Sequence, residues 1–216
     1  MNLALVRGVF TCLSLALAAT AHAQQRYVEG VHYQRIAEPG AALALGAGEE
    51  GNDAKSVLEV FWYGCGHCYA FDPLLDDWVA RKGESFTFAR SPMVWDDTTK
   101  QHARLFHTTQ ALGLHGAMHA RIFDTIHKEG NYLLDDASTT ALFAEFGVDA
   151  DTYEKTAASF GVDASLRKTE AAQRELAIRS VPALIVDGTW LINTTQQVPT
   201  QQAMLDVADF LLNQNP

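Results

Sequence analysis

The stretch Ser56-Val57-Leu58-Glu59-Val60-Phe61-Trp62-Tyr63-Gly64-Cys65-Gly66-His67-Cys68-Tyr69-Ala70-Phe71 changes its periodicity at Gly64. Upstream, Ser56 to Tyr63 is β-branched and aromatic and almost continuously apolar, as in a central strand covered on both faces. Downstream, Cys68, Phe71, Leu75, Trp78 and Val79 recur at spacings of three and four, which predicts a helix from Cys65 that buries one stripe. Pro73 lacks a backbone donor and crowds the preceding turn, so a kink is expected near the second turn. Ser85 to Ala89, with Phe86 and Phe88 alternating, reads as a second strand and completes a parallel strand-helix-strand unit.

On the N-terminal side, His32 to Ile36 has strand character, and Ala37 to Ala54, rich in Gly, Ala and Glu, reads as a connector. On the C-terminal side, about Thr98 to Ile178 is helical throughout, with breaks near Gly113, Gly130, Gly147 and Gly161 that divide it into four or five helices. Ser138, Asp151 and Asp163 are the expected N-caps. The stripes Leu105, Phe106 and Leu112, and Met118, Ile122 and Ile126, predict a small helical core. Two short strands follow, Ala183 to Val186 and Thr189 to Ile192, joined by Asp187-Gly188, a favoured hairpin turn. A last helix spans about Thr200 to Asn213. The class is α/β, with an all-helical domain inserted between the parallel unit and the hairpin.

Cys65-Gly66-His67-Cys68 lies where the strand gives way to the helix. Cysteines one turn apart have Cα atoms roughly 5–6 Å apart, within the range of an unstrained disulfide, so the pair can open and close with little backbone movement. Cys65 meets the unpaired N–H groups and the positive end of the helix dipole, which favour a thiolate and make it the expected nucleophile. Cys68, on the apolar stripe, is the expected buried resolving thiol. His67 between them is placed to stabilise the Cys65 thiolate as a leaving group. A Cys65 thiol lowered to about 4.5 would favour the reduced form at pH 7 by roughly 3.4 kcal/mol, or roughly 70 mV, and so make the disulfide an oxidant.

The compartment is read from the N-terminus. Arg7, the apolar run Gly8 to Ala19 and the small residues of Ala21-His22-Ala23 have the form of a cleaved secretory signal; the run is shorter than the ~20 residues of a membrane span. Cleavage after Ala23 removes Cys12 and leaves Cys65 and Cys68 as the mature pair, in an oxidising compartment where a disulfide persists. The 216 residues, 48% hydrophobic and 19% charged, suffice for one compact unit with a real core. With 16 basic against 26 acidic residues the formal charge is −10, which argues against a nucleic-acid partner.

Half a zinc site is the competing reading of the cysteine pair. Further ligands would have to come from histidines such as His102 and His107 or His115 and His119, but the gap from Cys68 to His102 far exceeds the roughly 12–15 residues of compact fingers. No metal is expected, and His115, His119 and His127 are expected on helix faces as ordinary polar residues. Ser180-Val181-Pro182 precedes the strand Ala183 to Val186; a Val-Pro step alone says little, since only about 5–6% of such bonds are cis.

Together, FWYGCGHCYAF at 61–71, the helical insert and RSVPALIVDGTWLIN at 179–193 resemble the DsbA family of periplasmic thiol:disulfide oxidoreductases over almost the whole mature chain. The resemblance implies a thioredoxin-like fold: a signal peptide at 1–23, thioredoxin-like parts at 24–94 and 179–216, and the helical domain at 95–178. It implies a cis Val181-Pro182 bond beside the active disulfide, where the Val181 backbone pairs with substrate and Pro182 packs near the sulfurs. Glu59 matches an acidic position that tunes the cysteines if buried, and is otherwise an exposed strand-face residue. Gly66-His67 departs from the family's commonest Pro-His and is similar to the pair in protein disulfide isomerases. Gly66 loosens the first turn, which implies a weaker oxidant.

The implied activity is dithiol oxidation of folding exported proteins that carry free thiols, with no cofactor beyond the Cys65–Cys68 disulfide. Recharging by a membrane quinone-linked partner of the DsbB type is implied too. An isomerase or reductase on the same fold is the alternative; the short stretch before Cys65 leaves no room for an isomerase's dimerisation domain and favours a monomer.

Overall fold

The computed structural model describes residues 26–48 and 54–214. The expected signal segment, with Cys12, lies outside the described residues. Five strands form one sheet in the order β1-β5-β4-β2-β3, from β1 (Gln34–Arg35), β2 (Ser56–Phe61), β3 (Thr87–Pro92), β4 (Ala183–Val186) and β5 (Trp190–Asn193). β2 runs parallel to β3 and antiparallel to β4. All six β2 residues are buried, as the unbroken apolar run requires of a strand covered on both faces.

The alternation of β2 sorts its side chains between two layers. Val57 faces α2 (Gly66–Lys82) and α8 (Gln201–Leu212), packing with Phe71, Leu75, Trp78 and Leu205. Leu58 and Val60 face α1 (Pro39–Ala44) and α7 (Phe160–Leu176), packing with Ala42, Ala172 and Ile185. Between β3 and β4 the chain makes five helices: α3 (Asp97–Ala111), α4 (His115–His127), α5 (Asp136–Ala144), α6 (Ala150–Ala157) and α7. Their core is not self-contained: Phe106, Met118, Ile122 and Phe123 pack with Phe61, Tyr63 and Cys68 at the end of β2 and the start of α2.

Several expectations shift. The connector contains α1, which starts with Pro39 at a position where a missing N–H costs nothing and buries Ala41 and Ala42. The second strand starts two residues late, after a 3₁₀ turn at Gly83–Ser85, and ends on Pro92, tolerated because β3 is an edge. Pro73 lies inside α2, which continues beyond it to Lys82. The N-caps of α5, α6 and α7 are Asp135, Asp149 and Ser159, each accepting from a backbone N–H three residues on. Ser138, Asp151 and Asp163 instead lie inside the first turns, where acidic residues also meet the helix dipole. Gly161 likewise lies within α7. The hairpin turns at Asp187 and Gly188, both at positive φ (51° and 59°), but Val186 pairs with Trp190, so Thr189 joins the loop and the hairpin's second strand starts one residue later than expected.

Candidate active site

Cys65 is the N-cap of α2, with extended backbone angles (φ −87°, ψ 114°). Its N–H donates to the Trp62 carbonyl at 3.0 Å and its own carbonyl accepts from Tyr69 N–H at 3.0 Å, so the strand-to-helix turn is hydrogen-bonded on both sides of the sulfur. Gly64 makes that turn possible: a Cβ there would stand 2.3 Å from the Trp62 indole. The indole is fixed in turn, since its Nε1–H donates to His102 Nδ1 at 2.9 Å while His102 Nε2 meets the Tyr132 carbonyl at 2.8 Å.

The two thiols sit in opposed environments, and both are free. Cys65 is part-exposed, and its thiol is held down to about 6, chiefly by the Cys68 thiol donating to it, against burial, with help from the Cys68 and His67 backbone N–H groups and the His67 charge. That is milder than the value of about 4.5 considered above, because partial desolvation opposes the donors. Cys68 is fully buried, and burial, followed by Cys65 and Glu59, pushes its thiol far up. The geometry therefore allows one thiolate and one thiol at neutral pH, with the anion on the accessible sulfur.

Val181-Pro182 is a cis peptide, and Pro182 is buried. The Val181 carbonyl lies 3.7 Å from Cys65 Sγ, close enough to accept from the thiol when it is protonated. Gly66 and His67 are exposed, and the His67 carbonyl accepts from Gln201 Nε2 at 2.5 Å, tying the first turn of α2 to the start of α8.

Glu59 is 1% exposed, so the buried reading holds. Burial raises its carboxyl to about 7, opposed by Arg90, whose Nε donates to it at 2.9 Å. Sequence reading missed what continues from there. Arg90 also donates to Asp72 at 3.0 Å and Asp76 at 2.5 Å, Asp72 meets His119 Nε2 at 3.1 Å, and His119 Nδ1 meets the Tyr63 hydroxyl at 3.0 Å. Two signals were there: Asp72 interrupts the apolar stripe of α2, and Arg90 falls opposite Glu59 in the parallel register.

The histidines correct an expectation. Of the three expected as ordinary polar residues on helix faces, His119 is buried, and His115 and His127 are half-buried, with His127 Nε2 on the Tyr63 carbonyl at 2.8 Å. His102 and His107 are buried as well, and His102, His107 and His119 each have hydrogen-bond partners at both ring nitrogens. Among the described residues no cluster of three or more His, Cys, Asp or Glu is placed to share an ion.

The family described as the DSBA-like thioredoxin domain matches residues 74–208, a span that starts just after the cysteine pair. The thiol:disulfide interchange protein DsbA of Azotobacter vinelandii is 30% identical over 190 residues, covering 88% of this chain and 82% of the relative. Its counterpart from Burkholderia cepacia is 34% identical over 160 residues, covering 73% and 74%. The crystal structure of Pseudomonas aeruginosa DsbA superposes with a TM-score of 0.75 at 26% identity, over 86% of this chain and 93% of that one. A sheet with a helical insertion, a cysteine pair at the head of α2 and these relatives lead to one conclusion: the chain belongs to the DsbA family, with its thioredoxin-like fold.

Proposed function

We propose that this thiol:disulfide oxidoreductase oxidises dithiols in exported proteins by donating a Cys65–Cys68 disulfide. A substrate thiolate attacks Cys65 Sγ of the disulfide; the S–S bond breaks and Cys68 leaves with the electron pair and takes one proton. The second substrate thiol, losing its proton to solvent, attacks the substrate sulfur of the mixed disulfide and expels Cys65 as a thiolate. Two electrons pass from the substrate to the cysteine pair. His67 and the N–H groups of the first turn stabilise the departing thiolate, Gly66 leaves that turn loose, and Glu59 tunes the buried sulfur. The Val181 backbone takes an extended substrate segment, with Pro182 packed against the pair.

The observation that carries this reading is the asymmetry of the sulfurs: the accessible one has its thiol at about 6, the buried one its thiol pushed up. At pH 7 a midpoint near 6 favours the reduced form by at most about 1.4 kcal/mol over an ordinary thiol, about 30 mV of oxidising strength. The reading extends to a signal peptide at 1–23, a periplasmic location, a helical domain at 95–178 between thioredoxin-like parts at 24–94 and 179–216, a monomeric state, and recharging by a DsbB-type quinone-linked membrane protein. No cofactor or metal is needed for these steps.

Cys65→Ser is expected to abolish oxidation of a dithiol peptide, and Cys68→Ser, which has no disulfide to donate, to abolish it too while its Cys65 thiolate attacks oxidised glutathione, releases one glutathione thiol and accumulates as the mixed disulfide. Thiolate absorbance should titrate below ~7, and equilibration with glutathione should place the couple above roughly −200 mV. A peptide oxidised as fast by Cys65→Ser overturns the proposal. A potential near about −270 mV would turn it towards a reductase, the direction in which the isomerase-like Gly66-His67 pair also points.

A further inference from the structure

Behind Cys68, a single guanidinium serves three carboxylates. Arg90, on β3, reaches Glu59 of β2 and Asp72 and Asp76 of α2. Only Asp76 is well exposed, with 55% of its side-chain surface open, so water can satisfy it. Glu59 and Asp72, at 2% and 8%, depend on protein donors. Within hydrogen-bond reach of Asp72 Oδ1 there are two, Arg90 Nη2 at 3.0 Å and His119 Nε2 at 3.1 Å. His119 comes from α4, in the helical insertion.

The tautomer of His119 follows from its partners. Burial lowers the imidazole from its ordinary value, which favours the neutral ring. An ionised Asp72 can only accept, so Nε2 carries the hydrogen and Nδ1 accepts from the Tyr63 hydroxyl, itself fully buried. The ring is thereby held at both nitrogens. His115, one turn earlier on α4, packs its ring 4.9 Å from that of His119. The other groups around the cluster are Cys68, whose thiol feels the Glu59 charge, and the apolar Leu184 opposite Glu59 on β4.

We infer that His119 is a positioning residue for the dithiol chemistry: by donating to Asp72 it lets Arg90 remain on Glu59, so that the helical insertion sets the charge behind the buried sulfur. This inference rests on Cys65 and Cys68 being the redox pair. Without His119, Asp72 remains an anion near neutral pH and has only the guanidinium to turn to. Arg90 then shifts from Glu59 towards Asp72. Glu59, raised already by burial, loses part of its compensation and stays protonated to higher pH.

The test reads Glu59 itself, by carboxyl ¹³C NMR titration of the reduced full chain, with Glu59→Gln to assign the signal. Glutamine places an amide N–H where Nε2 stood, whereas asparagine is too short to reach Asp72. His119→Gln is therefore expected to keep the Glu59 midpoint, and His119→Asn to raise it by at least about half a pH unit, a threefold change in the protonation equilibrium. The pH at which the glutathione equilibrium changes slope should move with it. In an Asp72→Asn background, His119→Asn should produce no further shift, because the route through Asp72 is gone. Equal midpoints in the glutamine and asparagine variants, a downward shift, or a shifted midpoint with an unshifted redox slope would each overturn the inference. Glu59 titrates whether or not the protein turns over, so a failure here is separate from retention of activity in Cys65→Ser.

Discussion

Gly66 is exposed and occupies the first helical position of α2, directly after Cys65 in extended conformation (φ −87°, ψ 114°). That is the backbone region a residue takes before proline, and the first helical position is where a missing N–H is least felt. A Cβ at residue 66 meets nothing within 4 Å. The N–H groups that stabilise the Cys65 thiolate belong to Cys68 and His67, so replacing Gly66 removes none of them. Gly66→Pro is therefore expected to stabilise the reduced protein by about 0.4–1 kcal/mol, by restricting the unfolded chain, in urea unfolding. The Cys65 midpoint, read from thiolate absorbance, should stay near 6. A marked rise of that midpoint would mean that the residue 66 N–H does reach the sulfur. Gly64, two residues earlier, offers no such freedom, because the Trp62 indole covers the place a side chain would take.

At the level of elements, the passage from sheet to insertion is made at the start of α3. Asp96 Oδ1 accepts from Thr99 N–H at 2.8 Å while Thr99 Oγ1 accepts from the N–H groups of Asp96 and Trp95, both at 2.8 Å. Asp96→Ala is expected to cost about 1 kcal/mol, and up to about 2, seen as a lower urea midpoint with an unchanged slope. A loss below a few tenths would show that Thr99 alone closes the helix. Elements of this kind were unevenly legible. β2, α2, the hairpin and α8 declare themselves because an unbroken apolar run, a helical stripe and a positive-φ turn each admit one structure. α1 did not, because its six residues are too few for a period and its helix is held by α7, far along the chain. In the candidate site, Cys65, Cys68, Pro182 and Glu59 were legible from local spacing and resemblance. Arg90, Asp72, His119 and Tyr63 were not, since a bond between β3, α2, α4 and the end of β2 exists only once the sheet and the insertion have packed.

Over the whole molecule, the insertion and the thioredoxin-like part share one core around Cys68, and four of its histidines respond to acid in the same sense. Burial lowers His102, His107, His115 and His119 from the ordinary imidazole value, His115 to about 4. Unfolded imidazoles titrate near ~6.5, so below that pH the unfolded chain binds more protons than the folded one and stability falls with falling pH. The contribution is intact above ~6.5 and is withdrawn progressively towards the folded midpoint, which for His115 means down to about 4. Glu59 acts in the opposite direction: with its carboxyl raised to about 7, the folded state binds the extra proton between roughly 4.5 and 7, and acidification favours folding there. The Cys65 thiol, held down to about 6, likewise loses its contribution as the pH falls through 6, so five groups oppose one and the net effect is destabilising. At pH 5 His115 by itself withdraws up to about 2 kcal/mol. Urea unfolding of the reduced protein should therefore show a lower midpoint at pH 5 than at pH 7.5. His115→Phe, which keeps a ring against Phe106 and His119 but has no nitrogen to protonate, should narrow that difference. An equal difference in wild type and variant would show that the ring of His115 is already solvated in the folded protein.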